Sequence, residues 1–253
     1  MKLPLRHLCA LVLVSLALSA CATSTPTSDI NDPFEPLNRA THQVNKGADR
    51  VFFRPASQVY GTVVPRPVRT GLSNVASNLD TPRSVINDVL QGDFEDAGRN
   101  TARFLINSTI GLFGLFDPAS SDFGLEENAT GFGDTLAVWG VEEGPYAELL
   151  LFGPSTTRDS IGLTVDILTN PVTAFIGDGD EVATATAFPS VLNSRFELSS
   201  TIDSVLYESA DSYAQLRLFY LERRRFELSG QTGADDDVFD PYENLFDEFA
   251  DEF

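Results

Sequence analysis

The chain has 253 residues, with 17 basic side chains against 37 acidic ones, a net charge of −20, and 19 phenylalanines. Its 42% apolar content is enough to build a folded core, and at roughly 150 residues per domain the length fits one large domain or two small ones. So acidic a chain lacks the basic face that nucleic acid requires, and charge alone would not hold it to anionic lipid.

Residues 1–20 read as a bacterial export signal. Lys2 and Arg6 give the positive start, residues 8–18 form an apolar run broken only by Ser15, and Ser19-Ala20 are small. The run is shorter than the roughly 20 apolar residues of a spanning helix. Cys21 follows Leu18-Ser19-Ala20, which resembles the lipobox of bacterial lipoproteins. There the thiol takes a diacylglyceryl group and the Cys becomes the acylated N-terminus; the alternative is an ordinary signal followed by a chance Cys. By the same resemblance, Ala22 in place of Asp implies the outer membrane. Several acyl chains anchor stably where one binds only marginally. Residues 22–30, rich in Ser and Thr, read as a flexible tether.

Cleavage before Cys21 removes Lys2 and Arg6 and leaves 15 basic against 37 acidic residues, net −22. One histidine, His42, one lysine, Lys46, and one cysteine, Cys21, remain. Neither a disulfide nor a Cys/His zinc site can be built from that set. A Ser–His–Asp triad would need His42, which reads most simply as an exposed helix residue. The chain contains no G-x-S-x-G elbow, Walker loop or G-x-G-x-x-G. The expectation is a protein that is not an enzyme and that needs no metal or cofactor beyond its covalent lipid.

Asp32-Pro33 opens a helix over residues 33–53, stopped by Arg54-Pro55. Pro65 opens the next, with Val68, Leu72, Val75, Ala76 and Leu79 on one stripe. Pro82 starts a further short helix that ends near Gly92. Asp93 caps another, which carries Arg99 and Arg103 into residues 104–116, thirteen positions without a charge. That segment is too short to span a bilayer; it is either a buried core element or an interfacial one. Apolar runs recur at 149–152 and 161–176, and strand is expected only around 136–139 and 148–152. A last long helix opens at Ser200 and carries Ile202, Leu206, Ser209, Tyr213, Leu216 and Tyr220 along one face. It closes on Arg223-Arg224-Arg225, with Gly230 just beyond. The three arginines suit the negative end of a helix dipole, or else lipid phosphates or a partner. Residues 229–253 hold nine acidic residues and no basic one. They read as a flexible acidic tail when unbound; the alternative is a short helix with Tyr242, Leu245, Phe246, Phe249 and Phe253 on one face, ordered against a basic apolar groove.

A series of short motifs follows in one order: Asn31-Asp32-Pro33-Phe34-Glu35-Pro36-Leu37-Asn38-Arg39, Val64-Pro65-Arg66-Pro67-Val68-Arg69-Thr70-Gly71-Leu72-Ser73-Asn74 and Leu90-Gln91-Gly92. Then come Arg103-Phe104-Leu105-Ile106-Asn107-Ser108-Thr109-Ile110-Gly111, Gly114-Leu115-Phe116-Asp117, Phe132-Gly133-Asp134-Thr135-Leu136 and Trp139-Gly140. Gly144-Pro145-Tyr146, Gly153-Pro154-Ser155, Arg158-Asp159, Asp211-Ser212-Tyr213, Arg217, Tyr220 and Arg223-Arg224 close it. Together they resemble the MlaA (VacJ) family of phospholipid-transport lipoproteins over roughly residues 31–225. Leu150, Ala137 and Glu142-Glu143 depart from the family's usual Pro, Gly and Gly.

The resemblance implies a mainly α fold with little or no strand: a single ring-like helical domain over residues 31–228, its amphipathic helices set in the inner leaflet of the outer membrane. It implies an amphipathic channel that takes phospholipid strayed into the outer leaflet, a periplasmic lipid carrier feeding an inner-membrane ABC-type complex, and association with a trimeric porin. On that footing Phe104, Leu105, Ile110, Phe113 and Phe116 are expected to meet acyl chains or the bilayer, and Arg99 and Arg103 headgroup phosphate; the alternative is that they are ordinary core and surface residues. The competing functions are a lipoprotein that only scaffolds a porin, a periplasmic lipid hydrolase built on His42, and a small-molecule binding module, which would show a closed polar pocket.

Overall fold

Prolines mark some helix starts in this chain, but others lie within helices. The computed structural model describes residues 30–172 and 180–232. The expected signal, Cys21, most of the tether, and the tail from residue 233 lie outside the described residues. Helix α1 (Glu35–Ala48) passes into a π-helical turn (Asp49–Phe53) and on into α2 (Arg54–Val63) without a break. The expected stop at Arg54-Pro55 is therefore a wide turn. Proline has no N–H and its ring crowds the carbonyl four residues back; the turn instead joins the Arg54 N–H to the Asp49 carbonyl, five residues back.

Pro65 does open a helix, α3 (Arg66–Gln91), but Pro82 lies inside it rather than starting another. The helix packs along its length against α4 (Phe94–Thr109) and α8 (Asp180–Glu197). That packing outweighs the roughly 3 kcal/mol an internal proline costs. Gly92, at φ 81°, ends α3 in the left-handed conformation, and the Asp93 carboxylate caps α4 by accepting the Asp96 N–H, as expected.

Beyond α4 the backbone turns through three left-handed residues, Leu112, Phe113 and Gly114, before the single turn α5 (Pro118–Ser121). The strand expected around 136–139 is helix α6 (Phe132–Val138). Asp134 accepts the Gly131 N–H at 2.7 Å, a local cap that favours helix over strand. Among the described residues one hairpin forms, pairing β1 (Tyr146–Leu149) antiparallel with β2 (Gly153–Thr156). It starts earlier than the expected 148–152, because Leu151 at φ 66° is part of the turn.

Helix α7 (Thr157–Thr169) follows, capped by Thr156. The single helix expected from Ser200 is divided into α9 (Ser199–Asp203), a π turn (Ser204–Glu208), and α10 (Ser212–Thr232). Ser209 is extended and breaks the run. Helix α10 then continues past Arg223-Arg224-Arg225 and Gly230, so these arginines lie within it and do not close it.

The molecule is mostly helical, and its polarity is inverted for a water-soluble fold. Among the described residues, 24 buried side chains are polar or charged and 8 are apolar, whereas 33 large apolar side chains are exposed. A water-soluble domain places Leu, Ile, Val and Phe inside. No described helix is long and apolar enough to cross a membrane.

Candidate functional site

The family motifs converge on the interior. Asn38 on α1 donates to the Asp32 carboxylate at 2.8 Å and to the Tyr146 carbonyl at 3.1 Å, and accepts from the Glu148 N–H at 3.0 Å. Tyr213 and Arg217 on α10 close on the same Asp32 carboxylate. Arg39 forks onto Asp211 at 3.0 and 2.9 Å and stacks over the Tyr213 ring; this fork, then the Ala214 N–H, pulls the Asp211 pKa down to about 2. Asn107 links the Asp117 carboxylate to the Ala119 N–H. Burial raises the pKa of Asp159, but bonds from Arg224 and Tyr220, together with the Arg158 charge, outweigh it and leave the carboxyl below its ordinary value.

Glycines in these motifs let backbones meet. A Cβ on Gly162 would come within 2.3 Å of the Gly133 backbone nitrogen, so α6 and α7 touch main chain to main chain. A Cβ on Gly111 would lie 2.5 Å from the carbonyl oxygens of Asn107 and Phe116. The motif positions thus form an internal polar frame that joins α1, the hairpin, α7 and α10.

His42 corrects the reading of an exposed helix residue: it is 1% exposed. Its Nε2 lies 3.0 Å from Ser212 Oγ and its Nδ1 3.4 Å from Glu148 Oε1, and Tyr146 donates to the other Glu148 oxygen at 2.5 Å. The serine–histidine–carboxylate order is that of a hydrolase triad. Ser212, however, is itself buried and also accepts from Lys46 Nζ at 3.2 Å. The arrangement ties α1 to α10. Sequence reasoning missed it because nothing in residue spacing brings 42, 148 and 212 together.

The segment 104–116 forms the end of α4 and the turn beyond it. Leu105, Ile110, Phe113 and Phe116 are exposed, Phe113 by 82%, as are Leu112 and Leu115; Phe104 is half-buried. Arg103 is buried, paired with Asp117 at 3.2 Å and donating to the Leu125 carbonyl. Arg99 is paired with Asp96 and with Glu95. Both guanidinium groups are therefore engaged by this chain's own acceptors. A second apolar face, on the π turn and α2, gathers Val51, Phe52, Val59 and Val63 around a shallow groove of about 550 Å³. The signal for it was present: Leu37, Val44 and Val51 recur every seven residues, and all three are exposed. The three consecutive arginines of α10 divide. Arg224 is inside, on Asp134 and Asp159, while Arg225 pairs with Glu143 and Arg223 with Glu227. A polar cleft of about 720 Å³ is lined by Asp88, Asp93, Glu95, Asp96 and Glu227.

Comparison with known proteins agrees with the motif series. The sequence model of the family described as MlaA lipoprotein matches residues 30–227. The intermembrane phospholipid transport system lipoprotein MlaA of Haemophilus influenzae is 36% identical over 160 residues. That match covers 61% of this chain and just under two thirds, 64%, of the relative's length. The Escherichia coli K12 protein of the same name is 33% identical over 228 residues, covering 88% of this chain and 89% of its own. A solved structure titled "Structural basis for maintenance of bacterial outer membrane lipid asymmetry" superposes with a TM-score of 0.66 at 30% identity, covering 78% of this chain and 98% of that one.

Proposed function

The chain belongs to the MlaA lipoprotein family, and on that premise we propose that it removes mislocalised phospholipid from the outer leaflet of the outer membrane and passes it to a periplasmic carrier. The observation that carries this reading is the inverted polarity: 33 exposed large apolar side chains around an interior in which buried polar and charged side chains outnumber apolar ones. In hydrocarbon an exposed apolar side chain costs nothing, and every backbone and side-chain polar group must find a partner within the protein. Described helices of which none is both long and apolar enough to span suit a body lying in one leaflet, anchored through Cys21.

In this reading Leu105, Ile110, Phe113 and Phe116 meet acyl chains, together with the α2 face. Arg99 and Arg103 hold the polar frame, since their charges are already met by Asp96, Glu95 and Asp117. An amphipathic channel through the body would carry the lipid, a trimeric porin would embrace the apolar coat, and the acidic cleft beside Asp88 and Asp96 would face a basic carrier. The test is site-specific photo-crosslinking in cells, with a benzophenone amino acid at positions 105, 110, 113 and 116. Phospholipid or porin adducts are expected at these positions, and an absence of both at all four would overturn the placement.

A further inference from the structure

Basic residues are scarce in this chain, and nearly all are neutralised from within. Of the fifteen that follow Cys21, twelve form ion pairs with Asp or Glu, and only Lys46, Arg50 and Arg66 have no carboxylate partner among the described residues. Two of those three are one helical turn apart and approach the same ring. Lys46 Nζ lies 5.7 Å and Arg50 Cζ 5.0 Å from the centroid of Tyr207. Asp49, next to Arg50 in the chain, is already held by both Nε and Nη2 of Arg195 and by the Tyr207 hydroxyl, and Arg54, also over that ring, is paired with Asp203. The charge of Lys46 and Arg50 is therefore left over.

Lys46 also lines a crevice of about 180 Å³ between α1, the hairpin and α10. Its walls are polar at His42, Asn45, Asp49 and Glu148, the two carboxylates already engaged by Arg195 and Tyr207 and by Tyr146 and Asn45, and apolar at Phe53, Phe152 and Leu206. That volume is well below the roughly 300–1,000 Å³ of a pocket for a whole ligand. It admits one stretch of hydrocarbon beside Lys46; Arg50 does not line it but meets Lys46 over the Tyr207 ring, and the neighbouring Val51 and Phe52 are exposed.

We infer that this crevice is a phospholipid-binding site: Lys46 and Arg50 take the phosphodiester of a glycerophospholipid, and the adjoining part of one acyl chain enters between Phe53, Phe152 and Leu206. The inference rests on the proposed lipid function and deepens it by naming a headgroup site. The charge on the phosphate completes the two cations, and the apolar neighbours select a lipid over a free anion. An amphipathic ligand is the one chemistry that satisfies both ends of the crevice.

The test uses the lipidated full chain in detergent, with Phe53→Trp as a reporter in a Trp139→Phe background, and a phospholipid brominated on its acyl chain as quencher. Quenching is expected at low lipid. The Lys46→Gln/Arg50→Gln variant is expected to need at least fivefold more lipid, and the Lys46→Arg/Arg50→Lys variant to restore the original curve. A brominated detergent should quench all three alike. Identical lipid curves for the neutral and charged proteins would overturn the site. So would full displacement of lipid by millimolar inorganic phosphate, which would mark a free-anion site. If cells lacking the protein show no change in outer-leaflet phospholipid, the transport reading falls; if they do and the curves are identical, only this site falls.

Discussion

Arg195 on α8 holds Asp49 in the π turn through Nε and Nη2, at 2.7 and 2.9 Å, across 146 positions of sequence. The same guanidinium reaches Asp203 at 2.6 Å. Removing one partner of a buried pair leaves an uncompensated charge, which typically costs about 3–5 kcal/mol. Arg195→Met should therefore lower stability by that amount in urea unfolding followed by circular dichroism. Adding Asp49→Asn and Asp203→Asn should recover part of the loss. Equal stability of the single variant and the wild type would show that the pair is not structural.

Gly162 and Gly133 bring α6 and α7 into backbone contact, with no flexible side chain between them to yield. Gly162→Ala should cost about 3 kcal/mol through overpacking, whereas Gly98→Ala, which meets nothing within 4 Å on α4, should raise stability by about 0.5–1 kcal/mol. Thermal melts of the two variants would separate packing from helix propensity.

Phe113 is exposed and left-handed at φ 59°. A non-glycine residue in that conformation costs about 1–2 kcal/mol, so Phe113→Gly should leave the melting temperature unchanged or raised. The proposed membrane role predicts the opposite direction for function. Phe113→Gly/Phe116→Ser should fold yet clear outer-leaflet phospholipid less well in complemented cells. Full clearance by the double variant would mean that these rings are ornamental to transport.

Burial raises the Asp88 carboxyl to about 6, against the pull of its 2.8 Å bond from Asn100. A carboxyl whose folded pKa is raised contributes stability below its unfolded value, near 4, and loses it as pH rises toward 6. Asp88→Asn keeps an acceptor for Asn100 and removes the charge. The variant should be more stable than wild type at pH 7 by about 1–3 kcal/mol, with the difference closing below pH 4. Melting curves at pH 4, 5, 6 and 7 check this, and parallel profiles would contradict it.

Ser212→Ala distinguishes transport from hydrolysis. The hydroxyl bridges His42 and Lys46, so its loss should cost about 1–2 kcal/mol and leave phospholipid clearance intact. A hydrolase would lose all activity with its nucleophile.

Helix starts were legible at Pro65 and Asp93, but not at Pro82. Gly92 marked an end, whereas Pro55, read as a stop, and Pro82, read as a start, are both passed through: a π turn absorbs one and packing on α4 and α8 outweighs the other. Asp134 shows why 136–139 read as strand, since the cap that makes it a helix acts on Gly131, outside the apolar run. The exposed apolar segment 104–116 was visible as composition. The polar interior was hidden, because Asp32, His42 and Asp49 find Arg217, Ser212 and Arg195 only through the fold. Twelve ion-paired cations also explain how so acidic a chain buries arginine at all.

The direct test of the account is the amount of phospholipid reachable from outside intact cells, measured by surface-restricted phospholipase digestion with and without this protein. Deleting the gene should raise the accessible phospholipid several-fold, and the wild-type chain, but not Cys21→Ala, should return it to the starting level. Unchanged accessibility after deletion would contradict the claim that this protein clears the outer leaflet.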